Sequence, residues 1–179
     1  MKNGTILDRD GIAKAIDRLA HEIIEQHADL ARVALIGIKT RGDLLARRLA
    51  SRIESFSGAA VPCGALDITF YRDDVASASA QPIMHATEID FDIARREIVL
   101  VDDVLFTGRT IRCALDALVD FGRPAKIELA VLIDRGHREL PIRADYVGKN
   151  IPTSKDDDIK VALVETDGTD EVRLEDDHG

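Results

Sequence analysis

Two adjacent carboxylates, Asp102 and Asp103, end an apolar run at 98–101 and are followed shortly by Thr-Gly-Arg-Thr at 107–110. Carboxylate oxygens accept hydrogen bonds from a vicinal diol, and they also bind Mg2+ directly or through water. The 107–110 segment combines two hydroxyls, a glycine that lets a ligand approach the backbone, and N–H groups at a predicted helix start, which together favour an anion. This order of strand, acid pair, loop and helix can hold a sugar by its hydroxyls and its phosphate together.

The acid pair also has a purely structural interpretation. Acids after a strand often solvate a loop or cap a helix. Adjacent residues on an extended strand point to opposite faces, so Asp102 and Asp103 need a turn or twist between them to face one ligand. The combination with 107–110 at this short spacing favours a binding site over the structural interpretation.

A second segment with phosphate-binding chemistry, Lys39-Thr40-Arg41-Gly42, follows a predicted strand and opens a predicted helix. Two cations beside free backbone N–H groups make an anion pocket, although a helix start with exposed cations is the simpler explanation of this segment alone. The spacing of Gly37 and Gly42 is that of a P-loop, but Asp43 stands where a P-loop requires Lys. Two phosphate-sized pockets after two strands of one sheet suit a ligand with phosphates at both ends.

The elements that must position these residues alternate along the chain. Apolar periodicity predicts helices and strands in turn, which is typical of an α/β fold with a parallel sheet covered by helices on both faces, in a single domain over 1–179. The cues to order vanish at about 72–88, which predicts a mobile loop, and 166–179 reads as a weak edge strand with a frayed acidic tail. Helices are predicted at about 9–27, 44–56 and 108–121, and strands at 33–38, 65–71, 97–101, 126–133, 145–148 and 160–165.

The composition favours a globular protein of the cytoplasm. Among the 179 residues, 45% are apolar and 32% are charged, and no apolar run is long enough to span a bilayer. The N-terminus carries no signal-peptide core, so we expect no membrane association. Cys63 and Cys113 lie in no metal-binding spacing, and we interpret them as reduced thiols.

The charge is distributed unevenly. The net charge is −9, and residues 156–179 hold ten acids against two bases. The rest of the chain is therefore near neutral, and the segment 135–155 has five bases against two acids. A local basic patch can bind phosphates on an acidic molecule, although a solvated surface with scattered arginines explains the same composition.

The stretch 98–112 resembles the phosphoribosyl-pyrophosphate (PRPP) motif of type I phosphoribosyltransferases. The segments 37–42, 66–74 and 134–154 resemble one subgroup closely, the PyrR family of bifunctional pyrimidine-operon regulators and uracil phosphoribosyltransferases. The resemblance covers residues from about 6 to 164. It implies a type I phosphoribosyltransferase-like α/β fold, with a central, mostly parallel sheet of about five strands flanked by helices and a small hood. It also implies a homodimer or higher homo-oligomer.

The resemblance implies that the protein converts uracil and PRPP to UMP and pyrophosphate with Mg2+. Asp102 and Asp103 would be catalytic, holding the ribose hydroxyls and binding the metal directly or through water. Arg72 would neutralise the departing pyrophosphate from the loop that closes over the substrates, and Arg135 would lie near the base and ribose. The residues implied to contact substrate are Lys39, Thr40, Arg41, Gly42, Asp102, Asp103, Val104, Leu105, Phe106, Thr107, Gly108, Arg109, Thr110 and Arg135.

A second role implied by the resemblance is UMP-responsive binding of a pyrimidine-operon mRNA leader, which would control transcription attenuation. The residues linked to RNA are Arg18, His21, His137, Arg138 and Arg143. Many RNA-binding members have Thr where this chain has Asp17, and a carboxylate beside a phosphate path repels it. Two alternatives remain open: a transferase or UMP sensor without an RNA role, and a transferase that acts on another base such as orotate or a purine.

Overall fold

The computed structural model describes residues 4–69 and 86–176. Strands and helices alternate through most of this range, as the apolar periodicity predicts. The elements are β1 (Gly4–Leu7), α1 (Arg9–Gln26), β2 (Val33–Ile38), α2 (Gly42–Ser57), β3 (Cys63–Leu66), β4 (Glu97–Leu105), α3 (Arg109–Leu118), β5 (Lys126–Asp134), β6 (Tyr146–Asn150), β7 (Asp157–Ala162), α4 (Val164–Asp167) and β8 (Glu171–Asp176).

The main sheet of the described residues has five strands in the order β3-β2-β4-β5-β6, and every neighbouring pair is parallel. This confirms the predicted sheet. All six residues of β2 are buried, as are the residues from Ile98 to Asp102 in β4, which is typical of parallel strands covered on both faces. The register pairs Gly37 with Val101, so the loops after β2 and β4 leave the sheet side by side.

Helices cover both faces of this sheet and build two cores. One core packs α1 and α2 against the sheet through side chains such as Ile12, Leu49 and Ile53. The other packs α3 through Ile111 and Leu118 against the opposite face. Asp8 caps the N-terminus of α1, because its carboxylate accepts a hydrogen bond from the Gly11 N–H at 2.8 Å.

A small antiparallel sheet, β1-β8-β7 within the described residues, forms the hood. The segment after residue 165 was predicted to be a weak edge strand with a frayed acidic end. This was wrong for 171–176, because these residues form β8, the central strand of the hood. Val172 is fully buried and Leu174 packs against the same core, whereas Arg173 between them is exposed. The many acids of this segment obscured that period-two alternation.

Several boundaries also differ from the prediction. The strand expected at 65–71 is β3 at Cys63–Leu66. Residues 70–85, which include most of the predicted mobile loop and Arg72, lie outside the described residues. Glu88 was assigned to that loop, but it exchanges two backbone hydrogen bonds with Ala65, of 2.7 and 2.9 Å. No helix in 4–69 or 86–176 has the length and apolarity that crossing a membrane requires.

Candidate active site

The loop after β2 packs tightly against the end of β4. A Cβ added to Gly42 would lie 2.5 Å from the Val101 carbonyl oxygen and 3.2 Å from the Asp102 Cα. A Cβ added to Gly37 would lie 2.2 Å from the Gly42 carbonyl oxygen. Both positions therefore require glycine, and their P-loop-like spacing reflects a loop that closes on itself and against the acid pair.

The backbone of this loop is unusual at its junction with α2. The Lys39–Thr40 peptide is cis, and Arg41 adopts a φ of 75°, a left-handed conformation that a residue with a side chain rarely takes. A left-handed conformation at a residue with a side chain, as at Arg41, is found most often at functional sites. In the described structure no side chain caps α2 at Arg41, and the Gly42 N–H donates to the Thr40 carbonyl at 3.0 Å, so an anion here would use the N–H groups after Gly42.

The two cations of the loop pair with two acids that were not predicted as site residues. Lys39 Nζ lies 3.3 Å from Glu88 Oε1, and Arg41 Nη2 donates to Asp167 Oδ1 at 3.0 Å. Arg41 Nε is buried and has no hydrogen-bond partner among the described residues. Glu88 is 49 positions from Lys39 and Asp167 is 126 positions from Arg41, so no local signal could identify either acid.

The acid pair lies within β4, which runs on to Leu105 and pairs with β5 beyond the pair, through Val104 and Ile133. The strand predicted to end at 101 is therefore longer. Asp102 is only 5% exposed. Its Oδ1 accepts from the Asp103 N–H at 2.9 Å, and Asp103 Oδ1 accepts from the Val104 N–H at 2.8 Å. Each carboxylate thus turns back onto the N–H that follows it.

The electrostatics of the acid pair favour the arrival of positive charge. Burial, followed by the charge of Asp103, raises the pKa of Asp102 well above its usual value. Burial also raises the pKa of Asp103, while the Val104 N–H and the positive charge of Arg41 oppose that rise. Two carboxylates that repel each other in a buried site are stabilised most by a bound cation or by hydroxyl groups that donate hydrogen bonds to them.

The residues that follow divide between core and loop. The Leu105 side chain is buried in one core, and the partly buried Val104 side chain packs against the opposite core. Gly108, with a φ of 92°, precedes α3 and has no side chain with which to cap that helix. The carbonyl of Thr107 accepts from the Glu139 N–H at 2.9 Å, which ties the 107–110 loop to the chain after β5.

The side chains of the 107–110 loop are only partly engaged in hydrogen bonds within the protein. The Thr107 hydroxyl accepts from the Arg109 N–H at 3.3 Å, and Arg109 Nε donates to Glu139 Oε2 at 2.7 Å in a pair that is half exposed. Thr110 is exposed. The N-cap residues of α2 and α3, Arg41 and Gly108, thus make no side-chain cap hydrogen bond in the described structure, whereas Asp8 caps α1.

Arg135 is a buried support rather than an exposed ligand-binding cation. Its guanidinium donates to Thr153 Oγ1 at 3.1 Å and to the Ser154 carbonyl at 2.9 Å, and its Cζ lies 3.9 Å from the centre of the Phe106 ring. Burial lowers the pKa of Arg135. These contacts fix Phe106 and the loop before β7, so the predicted ligand contact of Arg135 stays a prediction.

Two of the residues linked to RNA are engaged within the same region. His137 Nε2 lies 2.6 Å from the Thr153 carbonyl oxygen. Arg138 donates to the Phe106 carbonyl at 2.8 Å and to Asp134 Oδ2 at 2.5 Å. Arg143 is exposed. Of the three, Arg143 thus presents the most accessible side chain to a partner.

The predicted RNA residues of α1 are also engaged. Arg18 donates to the carbonyls of Val147 and Gly148 and lies 3.4 Å from Glu22. The His21 ring stacks on the exposed Phe56 ring at a centroid distance of 4.1 Å.

Asp17, where the chain departs from the family pattern, forms a bidentate pair with Arg52 of α2, one of whose hydrogen bonds measures 2.7 Å. This hydrogen bonding holds the pKa of Asp17 below its usual value. The Arg52 guanidinium also lies 5.1 Å from the centre of the Phe56 ring. Asp17 thus neutralises Arg52, a cation that faces solvent beside α1.

Comparison with known proteins agrees with this geometry. Residues 2–167 match the family model described as phosphoribosyl transferase domain. The chain is 59% identical to the bifunctional protein PyrR of Deinococcus radiodurans, covering 95% of this chain and 93% of that protein. It is 62% identical to the protein of the same name from Roseiflexus sp., covering 91% and 89%.

Solved structures share the fold at low sequence identity. A hypoxanthine-guanine phosphoribosyltransferase of Bacillus anthracis superposes with a TM-score of 0.71 at 17% identity, covering 97% of this chain and 98% of that chain. A hypoxanthine phosphoribosyltransferase of Trypanosoma cruzi gives 0.72 at 18% identity, covering 94% and 89%. The fold, the matched family model and the close relatives together establish that the chain belongs to the phosphoribosyl transferase domain family, and within it to the bifunctional PyrR proteins.

Proposed function

We propose that this protein transfers the phosphoribosyl group of PRPP to uracil, which forms UMP and releases pyrophosphate. The single observation that carries the proposal is the packing of Gly42 against Val101 and Asp102, because it places one uncapped helix start directly beside the acid pair. The second helix start, after Gly108, follows six residues after Asp102. A ribose bearing phosphates at both ends matches this spacing of anion, hydroxyl and anion sites.

Each segment has one task in this reaction. The 39–42 loop binds the leaving pyrophosphate through N–H groups, Lys39 and Arg41. The 107–110 loop binds the 5′-phosphate through N–H groups and hydroxyls. Asp102 and Asp103 accept hydrogen bonds from the ribose hydroxyls, and their negative charge stabilises the positive charge that develops on the ribose as pyrophosphate leaves.

Mg2+ fits the acid pair by the chemistry of the donors. Both groups offer carboxylate oxygens, and Mg2+ is commonly held by one or two carboxylates while substrate phosphates and water complete its shell. In the described residues, no group of three or more His, Cys, Asp and Glu could hold a metal. PRPP itself would therefore supply further oxygens. When bound, Mg2+ would neutralise charge on the pyrophosphate.

Holding the substrate in place supplies much of the rate in this proposal. Bond cleavage at the ribose requires an aligned base, a stabilised leaving group and little water, and fixed geometry supplies the first two. The proposal assigns Arg72, which lies outside the described residues, to the departing pyrophosphate. The base lies on the side of Phe106 and Arg135, where Arg135 holds the loop before β7 in place.

The regulatory role belongs to the same proposal. The relatives are named bifunctional proteins, and UMP in the active site would control binding of a pyrimidine-operon mRNA leader. Arg18, His21 and Arg143 are the exposed residues among those assigned to RNA. The protein would act in the cytoplasm as a homodimer or larger homo-oligomer, which light scattering can measure.

The base specificity is tested by a screen of uracil, orotate, hypoxanthine and guanine with PRPP and Mg2+. The expected result is nucleotide formation with uracil and at most trace formation with the others. Turnover of a purine or orotate in place of uracil would replace the proposed substrate. Filter binding of the leader RNA with and without UMP tests the regulatory role, and RNA binding that ignores UMP would remove it.

A further inference from the structure

The turn at 163–170, which joins β7 to β8, orients one carboxylate towards the 39–42 loop. Asp167 Oδ2 accepts from the Leu163 N–H at 2.8 Å and from the Thr166 hydroxyl at 2.9 Å. Asp167 Oδ1 accepts from Arg41 Nη2 at 3.0 Å. One oxygen of Asp167 is thus fixed by its own turn while the other holds Arg41.

The turn is itself anchored on α2. Arg48 Nε donates to Glu165 Oε1 at 2.9 Å, and Arg48 Nη1 donates to Asp170 Oδ2 at 3.0 Å. The other oxygen of Asp170 accepts from the Val164 N–H at 2.8 Å. Leu163 is fully buried in the core beneath the turn. The position of Asp167 is therefore set by two carboxylates on one guanidinium and by a core side chain.

Arg41 and Arg48 share one side of α2. Arg41 is the residue that precedes the helix, and Arg48 lies two turns further on, so both side chains reach the same turn. Asp167 accepts a hydrogen bond from Arg41 Nη2, whereas Arg41 Nε is buried without a hydrogen-bond partner among the described residues. One end of the Arg41 guanidinium is thus held by Asp167, while its buried Nε–H group remains available as a hydrogen-bond donor.

We propose that Asp167 is a positioning residue for pyrophosphate binding, because it holds the Arg41 guanidinium in place and leaves its remaining donors to the phosphate. This rests on the proposed role of residues 39–42. Freezing an arginine costs conformational entropy, so an arginine that is already held loses less on binding. The hood, through the 163–170 turn, becomes part of the substrate site.

The test measures binding of Mg2+-pyrophosphate by calorimetry and the KM for PRPP in Asp167→Asn. The amide preserves the shape and can still accept from Leu163, but it cannot pair with Arg41 as an anion. We expect pyrophosphate binding to weaken and the KM for PRPP to rise about 3- to 10-fold, which corresponds to the loss of one charge-assisted contact. The KM for uracil should stay within a factor of about two.

Glu175→Gln is the matched control, because it removes the same charge from the hood at a pair with Lys160 that is remote from Arg41. It should bind pyrophosphate as the wild type does. The double variant Arg41→Gln/Asp167→Asn should bind no more weakly than Arg41→Gln alone, because Asp167 acts through Arg41. A merely structural role for Asp167 would instead make the two losses add.

The outcomes separate this inference from the proposed function. If Arg41→Gln binds pyrophosphate like the wild type, the role of the 39–42 loop fails. If Arg41→Gln weakens binding while Asp167→Asn leaves it unchanged or tightens it, the positioning role is overturned and the loop keeps its function. Should Asp167→Asn not fold, Asp167→Glu keeps the charge, displaces the oxygen from Arg41, and must show the same direction of change.

Discussion

The Cα of Gly42 lies so close to β4 that a Cβ there would come within 2.5 Å of the Val101 carbonyl oxygen. This contact joins the 39–42 loop to β4, the strand that carries the acid pair. The loop proposed to bind pyrophosphate and the acid pair are therefore packed directly against each other.

Gly42→Ala therefore should abolish turnover. The methyl group must push the loop from the end of β4, and a displacement of about 1 Å at a catalytic group can cost about 100-fold in rate. Overpacking of this kind also costs about 1–3 kcal/mol in the free energy of unfolding. Steady-state kinetics and urea unfolding measure the two effects. Gly4→Ala is the control, because a Cβ at Gly4 meets nothing within 4 Å. Wild-type kinetics in Gly42→Ala would show that the loop is free of β4.

Asp103→Asn should lower kcat by about 100-fold or more, because the amide removes negative charge that stabilises the developing positive charge on the ribose. The same variant should weaken the dependence of the rate on Mg2+ concentration. Initial rates measured over a Mg2+ titration provide the test. Asp116→Asn removes an acid on the exposed side of α3 and should retain the wild-type rate. Equal rates in Asp103→Asn and wild type would remove the assigned role of the acid pair.

The sequence predicts the main sheet, its helices and the position of the acid pair, because these depend on local periodicity. The five buried residues from Ile98 to Asp102 in β4 indicate a covered parallel strand. The partners of the loop cations could not be predicted, since Asp167 meets Arg41 across 126 positions of sequence. The packing of Gly42 also depends on β4, which the loop sequence does not contain. The hood was misjudged for a different reason, because charge dominated the composition of β8 and concealed its alternation.

Asp17→Thr should strengthen binding of the mRNA leader, provided that the proposed RNA role is correct. The substitution removes the carboxylate that neutralises Arg52, so one more cation can contact phosphate. Filter binding should show affinity several-fold higher at low salt, and the logarithmic salt dependence should steepen by about one phosphate contact. In Asp17→Thr/Arg52→Gln the gain should disappear. A gain that persists in the double variant would exclude Arg52 as its source.

Acid should destabilise the hood through the carboxylates that Arg48 holds. Hydrogen bonding to Arg48 lowers the pKa of both Glu165 and Asp170 below their usual values. A lowered pKa in the folded state contributes stability above the unfolded pKa near 4, and this contribution is lost as the pH falls through the folded value. The melting temperature of the wild type should thus fall between about pH 5 and pH 3.

Arg48→Gln tests this explanation, because it removes the shared partner of both acids. Its melting temperature should be lower than that of the wild type at pH 7, and the difference should shrink towards pH 3. Arg112→Gln, which alters a pair on the exposed side of α3, should follow the pH dependence of the wild type. A constant difference between Arg48→Gln and wild type at every pH would contradict the assignment.

A crystal structure of the protein with UMP bound tests the central claim most directly. The account predicts the 5′-phosphate against the N–H groups of 107–110 and the ribose hydroxyls within hydrogen-bond distance of Asp102 and Asp103, with the 39–42 loop facing the vacated pyrophosphate position. A UMP molecule seated elsewhere, with water alone between the acid pair and the 107–110 loop, would contradict it.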